Sequence, residues 1–474
     1  MTPTTSAPTT PHSTASADAS LAPAALLHRP GRWIDNWNAE NPEQWAAGGK
    51  AIASRNLKWS IFAEFLGFVI WQLWSIVVVQ LPNAGFTFDT GQIFWLISIP
   101  SLVGATLRFP YTFLVPRFGG RNWTIISAGL LLIPSIGLGI AVGNPETPFP
   151  VMLLIAALAG LGGGNFASSM SNITYFYPQS QKGWALGLNA AGGNLGAAVA
   201  QLLVPIVITL GALGTLNLPL AGFFWVPFIL LAMFGAWKYM DNLSSAKADF
   251  AGSIAAVKEP HLWILAFLYI GTFGSFIGFA SVFPKLIADQ FPEFSTFHLV
   301  SASLSLAFLG ALTGSLARPF GGRLADRFGG ALVTVCAFAV MAVGAVLVTV
   351  VLPLQSFWLF LLTFLLIFVA TGVGNGSTYR MIPSVFAARS GVRDAHKNSG
   401  DVNTQRKTAA ALGLISAIGA YGGFIIPQVL GFSKTSTGDY SSAIYAFAAA
   451  YLVMMCVTAF VYLRPGSSVA GHRI

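Results

Sequence analysis

Arg108-Phe-Pro-Tyr-Thr-Phe-Leu-Val-Pro-Arg117-Phe-Gly-Gly120 and Arg318-Pro-Phe-Gly-Gly-Arg-Leu-Ala-Asp-Arg327-Phe-Gly-Gly330 are two copies of one pattern, and both arginines recur at an offset of 210 residues (108 to 318, 117 to 327). A second pair keeps the same offset, since Gly162-Gly-Gly-Asn165 recurs as Gly372-Val-Gly-Asn375. Arg108 and Arg318 lie inside otherwise apolar runs. Two homologous halves, each contributing one intramembrane cation, describe a carrier whose site lies between them.

Composition sets the solvent. Hydrophobic residues make up 55% of the 474 residues and charged residues only 9%, against roughly 25% charge in a soluble domain. Runs of about 20 apolar residues predict twelve helices, over 59–81, 91–116, 122–143, 150–177, 182–210, 219–238, 261–285, 297–321, 330–352, 356–385, 409–432 and 440–463. The expected fold is an all-α membrane protein of twelve transmembrane helices in two pseudo-symmetric six-helix halves, 55–240 and 261–463. A linker, 241–260, joins them, and tails 1–54 and 464–474 flank them.

The formal charge of +9 reports topology. Lys and Arg cluster in alternate loops (Arg117 and Arg121, Lys182, Lys247 and Lys258, Arg323 and Arg327, Arg389 to Lys407), with Lys285 and Lys434 as exceptions. By the positive-inside rule those loops and both termini are expected in the cytoplasm, in a multi-pass protein of the cell inner (cytoplasmic) membrane. Nucleic acid is not an expected partner. Residues 1–28, rich in Thr, Ser, Ala and Pro, lack the pattern of a signal peptide and read as a disordered tail. Trp33, Trp37 and Trp45 suggest either a stretch along the membrane surface or a plain linker. Cys336 and Cys456 sit in apolar helices and read as buried packing residues, without metal-type spacing. The six histidines are scattered, and no cofactor motif, metal site or catalytic nucleophile is evident; an enzyme is not expected.

Within the apolar segments the charges are Arg108, Arg318 and Glu64, with Arg380 near a helix end. An arginine in hydrocarbon costs at least about 2.5 kcal/mol and normally faces a cavity or a partner. The competing reading is that both snorkel to the cytoplasmic surface. Two symmetry-related guanidinium forks suit a small monovalent oxyanion of trigonal or bent geometry. The small residues Gly162, Gly163 and Gly164, like Gly372 and Gly374, permit close helix approach around a narrow cavity. Asn165 and Asn172, two turns apart on one face, can each offer an amide; packing and interhelical bonding are the alternative uses of both residue types.

Gly322-Arg-Leu-Ala-Asp326-Arg327-Phe-Gly-Gly330 resembles the signature between helices two and three of each half in the major facilitator superfamily, where Asp and Arg latch the cytoplasmic face. The first copy has Pro116 in place of the acid. The stretches 162–178 and 372–379, with Leu107-Arg-Phe-Pro-Tyr111 and 268–279, resemble the diagnostic segments of the nitrate/nitrite porter family, the NarK-type major facilitators; the resemblance spans about 53–463. It implies that Arg108 and Arg318 clamp the anion, that Asn172 and Tyr269 hydrogen-bond it, and that Phe273 walls the site. Asn165 and Asn375 join them as candidate substrate contacts. Without the resemblance, Tyr269 and Phe273 read as ordinary packing aromatics.

Ala63-Glu64-Phe-Leu-Gly-Phe-Val-Ile-Trp71 resembles the first helix of the proton-coupled branch of that family. Two arginines and an ionised Glu64 sum to +1, and one bound nitrate with a protonated Glu64 also sums to +1, so empty and loaded carriers reorient with equal internal charge. Without the acid the empty site holds +2 and exchange is the natural cycle. The alternative for Glu64 is a carboxylate that reaches cytoplasmic water. The expected activity is secondary transport of nitrate and nitrite by alternating access, with protons as co-substrate. Nitrate/nitrite antiport is the alternative, and an anion sensor on a transporter scaffold ranks below both.

Overall fold

The computed structural model describes residues 26–210, 216–246, 250–299, 302–389, 402–465 and 474. Eleven helical stretches are long and apolar enough to span a membrane. They are α1 (Lys50–Gln80), α2 (Thr90–Phe118), α3 (Gly120–Ala141), α4 (Phe149–Phe176), α5 (Gln179–Leu210), α6 (Leu220–Tyr239), α7 (Pro260–Gln290), α9 (Gly330–Leu354), α10 (Phe357–Arg389), α11 (Lys407–Thr437) and α12 (Ser441–Leu463). The twelfth, α8 (Phe308–Phe328), carries Arg318, Arg323, Asp326 and Arg327 and is accordingly less apolar.

Repeat symmetry is visible in how the helices end. Gly119 (φ 87°) stops α2 and Gly329 (φ 94°) stops α8, each in a backbone region that L side chains rarely adopt. Helix α2 starts on a capping box: the Asp89 carboxylate accepts from the Gln92 N–H at 2.8 Å and the Gln92 side chain accepts from the Asp89 N–H at 3.0 Å.

Close packing within each half uses the glycines of the repeat. Gly162 on α4 lies against the Gly67 backbone of α1, and Gly163 against Gly104 of α2 and Trp71. Gly164 lies against Tyr111 and Leu107. In the second half Gly372 meets the Gly314 backbone and Gly374 meets Thr272. A Cβ at Gly162 or Gly372 would fall onto a backbone carbonyl that cannot rotate away. Gly162→Ala and Gly372→Ala are therefore expected to cost most of the folded carrier, whereas Gly187→Ala, where a Cβ meets open space, is expected to be silent. Detergent-extracted monodisperse yield measures the contrast.

The first described residues, at the α2–α3 turn, and Ile474, at the α8–α9 turn, lie on one face of the bundle, here called the terminal face. Residues 26–54, expected to form part of an unstructured or interfacial tail, are instead folded onto it. Strand β1 (His28–Arg29) pairs antiparallel with β2 (Trp33–Ile34), which pairs in parallel with β3 (Asn242–Leu243) of the linker. The buried Asp241 accepts from Arg32 at 2.8 Å, from Arg55 at 2.7 Å and from Asn56 at 2.9 Å. Trp37 donates to the Tyr175 carbonyl at 3.0 Å, and Trp45 sits edge-on to Tyr177; these indoles are spent on the end of α4 and not on lipid headgroups. Residues 1–25 and 466–473 lie outside the described residues.

Three further expectations are corrected. Helix eight, expected over 297–321, begins at Phe308, because Phe297–Leu299 and Ala302–Leu304 form a β-hairpin on the opposite face. Helix one begins at Lys50 and not at 59, its first turns polar and outside the apolar run. Cys336 and Cys456 are exposed on the outer faces of α9 and α12, not buried, since apolar residues in a bundle also face outward.

The two copies of the signature turn are held differently. Asp326 pairs with Arg380 of α10 at 2.5 Å, while Arg327 lies over the Phe328 ring. At the first turn, Asn242 of the linker packs against Gly119 and accepts from the Asn122 N–H at 3.3 Å. Asp326→Asn, which removes a charge partner, is expected to shift the conformational equilibrium more than any change at Pro116. Cysteine accessibility on the terminal face reads this, and equal effects at both positions would refute it.

Candidate anion-binding site

The halves meet along α1 with α7, α2 with α11, and α5 with α8. Gln428 donates to Ser98 at 2.6 Å, Gln201 to the Ala280 carbonyl at 2.6 Å, and Gln72 to Ser281 at 3.3 Å. All three bonds lie on the side of Arg108 away from the termini, so the halves are clasped there.

Arg108 is fully buried and Arg318 is 7% exposed, which excludes snorkelling for both. Neither forms an ion pair among the described residues. Arg108 is aimed by its neighbours: Nε donates to the Gly163 carbonyl at 3.1 Å, and Nη1 donates to the carbonyl and hydroxyl of Ser416 on α11 at 3.0 and 2.9 Å. Its Nη2 is buried without a partner, as is Nη1 of Arg318. Both guanidinium groups lie over the Phe166 ring, its centroid 4.5 Å from Arg108 Cζ and 6.0 Å from Arg318 Cζ. Phe273 and Trp71 close on Arg108 at 5.0 and 5.5 Å, and Tyr379 on Arg318 at 5.4 Å. Cation–π contacts offset part of the desolvation of each guanidinium. Two buried cations with free donors still repel each other, and an anion between them relieves both costs.

Tyr269 and Phe273 enter the site through a π turn, Ile270–Gly274, inside α7; such turns recur at functional sites. It stacks their rings at 5.3 Å and 19°, with Phe273 in turn stacked on Phe166 at 6.2 Å. Gly419 of α11 lies against the Tyr269 ring. The Tyr269 hydroxyl donates to Asn375 Oδ1 at 2.9 Å.

The structure thus brings Arg108, Arg318, Tyr269, Phe273 and Asn375 together. Asn165 is buried beside them with both amide atoms unpartnered. Asn172 is different: its amide lies against Gly120 at the α2–α3 turn, near the terminal face. Two contributors escaped the sequence reading, Phe166 and Ser416. Phe166 directly follows Asn165 in the glycine-rich stretch. Ser416 gave no signal at all. Asn194 of α5, fully buried with neither amide atom partnered, sits in Gly192-Gly-Asn-Leu-Gly196, a run that echoes Gly163-Gly-Asn165.

Glu64 of α1 is fully buried, so it does not reach surface water by itself. The Ser169 hydroxyl and Asn189 Nδ2, the latter at 2.5 Å, both donate to its Oε2, while Oε1 has no partner and packs against Gly193. Among the described residues no group of three or more His, Cys, Asp or Glu side chains is placed to hold a metal.

The sequence profile described as Major Facilitator Superfamily matches residues 61–427. The xylose transporter XylE from E. coli, in a partially occluded inward-open conformation, superposes with a TM-score of 0.62 over 86% of this chain and 97% of its own, at 12% identity; it shares the fold. The nitrate/nitrite transporter NarU of Salmonella typhimurium is 44% identical over 91% of this chain and 96% of its own length. The probable nitrate/nitrite antiporter NarK2 of Thermus thermophilus is 36% identical over 92% and 98%. With those extents of identity and the paired arginines in place, the chain belongs to the nitrate/nitrite porter family of the major facilitator superfamily.

Proposed function

We propose that the chain carries nitrate, and nitrite, across the inner membrane by alternating access, with protons moving in the same direction. The observation that carries the anion is the pair of buried guanidinium groups, each with a free donor and both over the Phe166 ring. A planar oxyanion suits a site walled by aromatic rings with one free guanidinium donor from each arginine, Arg108 Nη2 and Arg318 Nη1. The Tyr269–Asn375 pair supplies neutral hydrogen-bonding groups beside it, and Asn172 acts at the turn. The terminal face, with its basic loops, is the cytoplasmic one, so the bonds that clasp the halves lie on the outer side of the arginines.

Proton coupling rests on Glu64. A buried carboxylate with an unpartnered oxygen, in the same half as Arg108, can balance the empty site by ionising and the loaded site by protonating. Exchange of nitrate for nitrite is the second reading, favoured by the Thermus relative, a probable nitrate/nitrite antiporter. Uptake of labelled nitrate into proteoliposomes with an imposed pH gradient, with and without nitrite inside, separates them. Dependence on the gradient supports symport; dependence on internal nitrite alone replaces it with exchange.

A further inference from the structure

A narrow cleft with about 10 Å³ of room, the space of a single water, adjoins Glu64 and is lined by Ser60, Ala63, Thr124, Ser127, Asn165, Ser168 and Ser169. We propose that this cleft is a private proton entrance to Glu64, holding water between α1, α3 and α4 and leading to the terminal face, through which the carboxylate exchanges its proton with the cytoplasm, apart from the compartment of the two arginines. The inference rests on the proton-coupled reading above.

Four observations carry it. First, the lining is almost wholly hydroxyl and amide, inside helices that are otherwise apolar. Second, several of its oxygens have no partner: Ser60 Oγ, Glu64 Oε1 and Asn165 Oδ1 are buried and unbonded, which suits a bridging water with two to four polar contacts. Third, two wall residues come from α3, a peripheral helix that packs on α4 and α6 and contributes none of the groups around the arginines. Thr124 and Ser127 follow the α2–α3 turn at Gly120 by one and two helical turns, about 6 and 10 Å along the axis, so they step from the terminal face toward Glu64. Fourth, α4 separates the two compartments, with Asn165, Ser168 and Ser169 facing the cleft and Phe166 facing the guanidinium groups.

The cleft walls carry no charge besides Glu64 itself. The charged or titratable groups that act on Glu64 from beyond it are Arg318 of α8, Arg108 of α2 and Tyr379 of α10. Proton movement needs no other reactant. Each water or hydroxyl oxygen gains one O–H bond and gives up another, and the last proton forms the O–H bond on the Glu64 carboxylate. In the inward-facing carrier anion and proton then leave to the same side through different openings, and Asn165, on the boundary, touches the proton's compartment while its neighbour Phe166 touches the anion's.

The test compares Thr124→Val/Ser127→Ala with Thr124→Ser/Ser127→Thr in proteoliposomes. The first pair is expected to slow pH-gradient-driven nitrate uptake about tenfold or more, the scale of a lost proton-transfer step, with nitrate/nitrate counterflow unchanged. The second pair keeps the hydroxyls and is expected to keep both activities. Wild-type proton-driven uptake in Thr124→Val/Ser127→Ala would overturn the entrance while leaving symport standing. Absence of proton-driven uptake in the unaltered carrier would overturn symport first and the entrance with it. If the first pair also loses counterflow, Ser127→Cys treated with a methanethiosulfonate reagent decides: selective loss of proton-driven uptake supports the route, and no change after complete labelling refutes it.

Discussion

Arg108→Lys and Arg318→Lys are each expected to lower nitrate transport tenfold or more, a loss of at least about 1.4 kcal/mol in binding. The charge survives, but the geometry does not. Arg108 uses Nε and Nη1 to bond Gly163 and Ser416, and this leaves Nη2 pointing free. A single ammonium cannot hold those partners and also present a donor in a fixed direction. Loss of the flat cation also removes the stacking with Phe166. Transport and nitrate binding measured on folded, purified lysine variants check the result. Normal binding and transport in both would dismiss the clamp.

Glu64→Gln separates the two transport cycles. Glutamine resembles the protonated acid and keeps the donors Ser169 and Asn189 supplied with an acceptor, so the fold should tolerate it. The empty site then stays at +2 and resists reorientation. Net uptake driven by a pH gradient is expected to collapse, while nitrate/nitrate counterflow, in which the reorienting site is always occupied, persists. Arg108→Lys weakens both, because it damages binding in every cycle. Retained gradient-driven uptake in Glu64→Gln would make exchange the leading mechanism.

The repeat made the architecture legible. An offset of 210 residues located both arginines, the paired stop glycines and the glycine faces of α4 and α10 before any coordinates. What it did not reveal depends on partners distant along the chain. Ser416, which orients Arg108, lies 308 residues away in a helix with no distinguishing motif. Phe166 reads as one more apolar residue, because nothing local states that two cations will lie over its ring. The run from Ala302 to Leu309 is apolar enough to read as helix, yet its first part pairs as a strand with Phe297–Leu299. Asn172 shares a face with Asn165, but the two are far enough apart along α4 that Asn172 meets the α2–α3 turn and Asn165 lines the internal cleft. Periodicity gives the face of a helix; depth along it is decided by the neighbours.

The parallel pairing of Trp33 with Asn242 has a consequence for biogenesis. Residue 33 leaves the ribosome early, but its strand partner is translated 209 residues later, after all of α1–α6. At about 5–20 residues per second, that is a wait of roughly 10–40 s. During it Arg32 and Arg55 stand without Asp241, and the small sheet cannot form. Its closure therefore marks the moment when the first six helices are in place, just before the seventh begins to emerge. A chain whose early helices insert in the wrong order would strand β1 and β2 away from β3, leaving an unpaired edge and bare arginines for quality-control proteases to find.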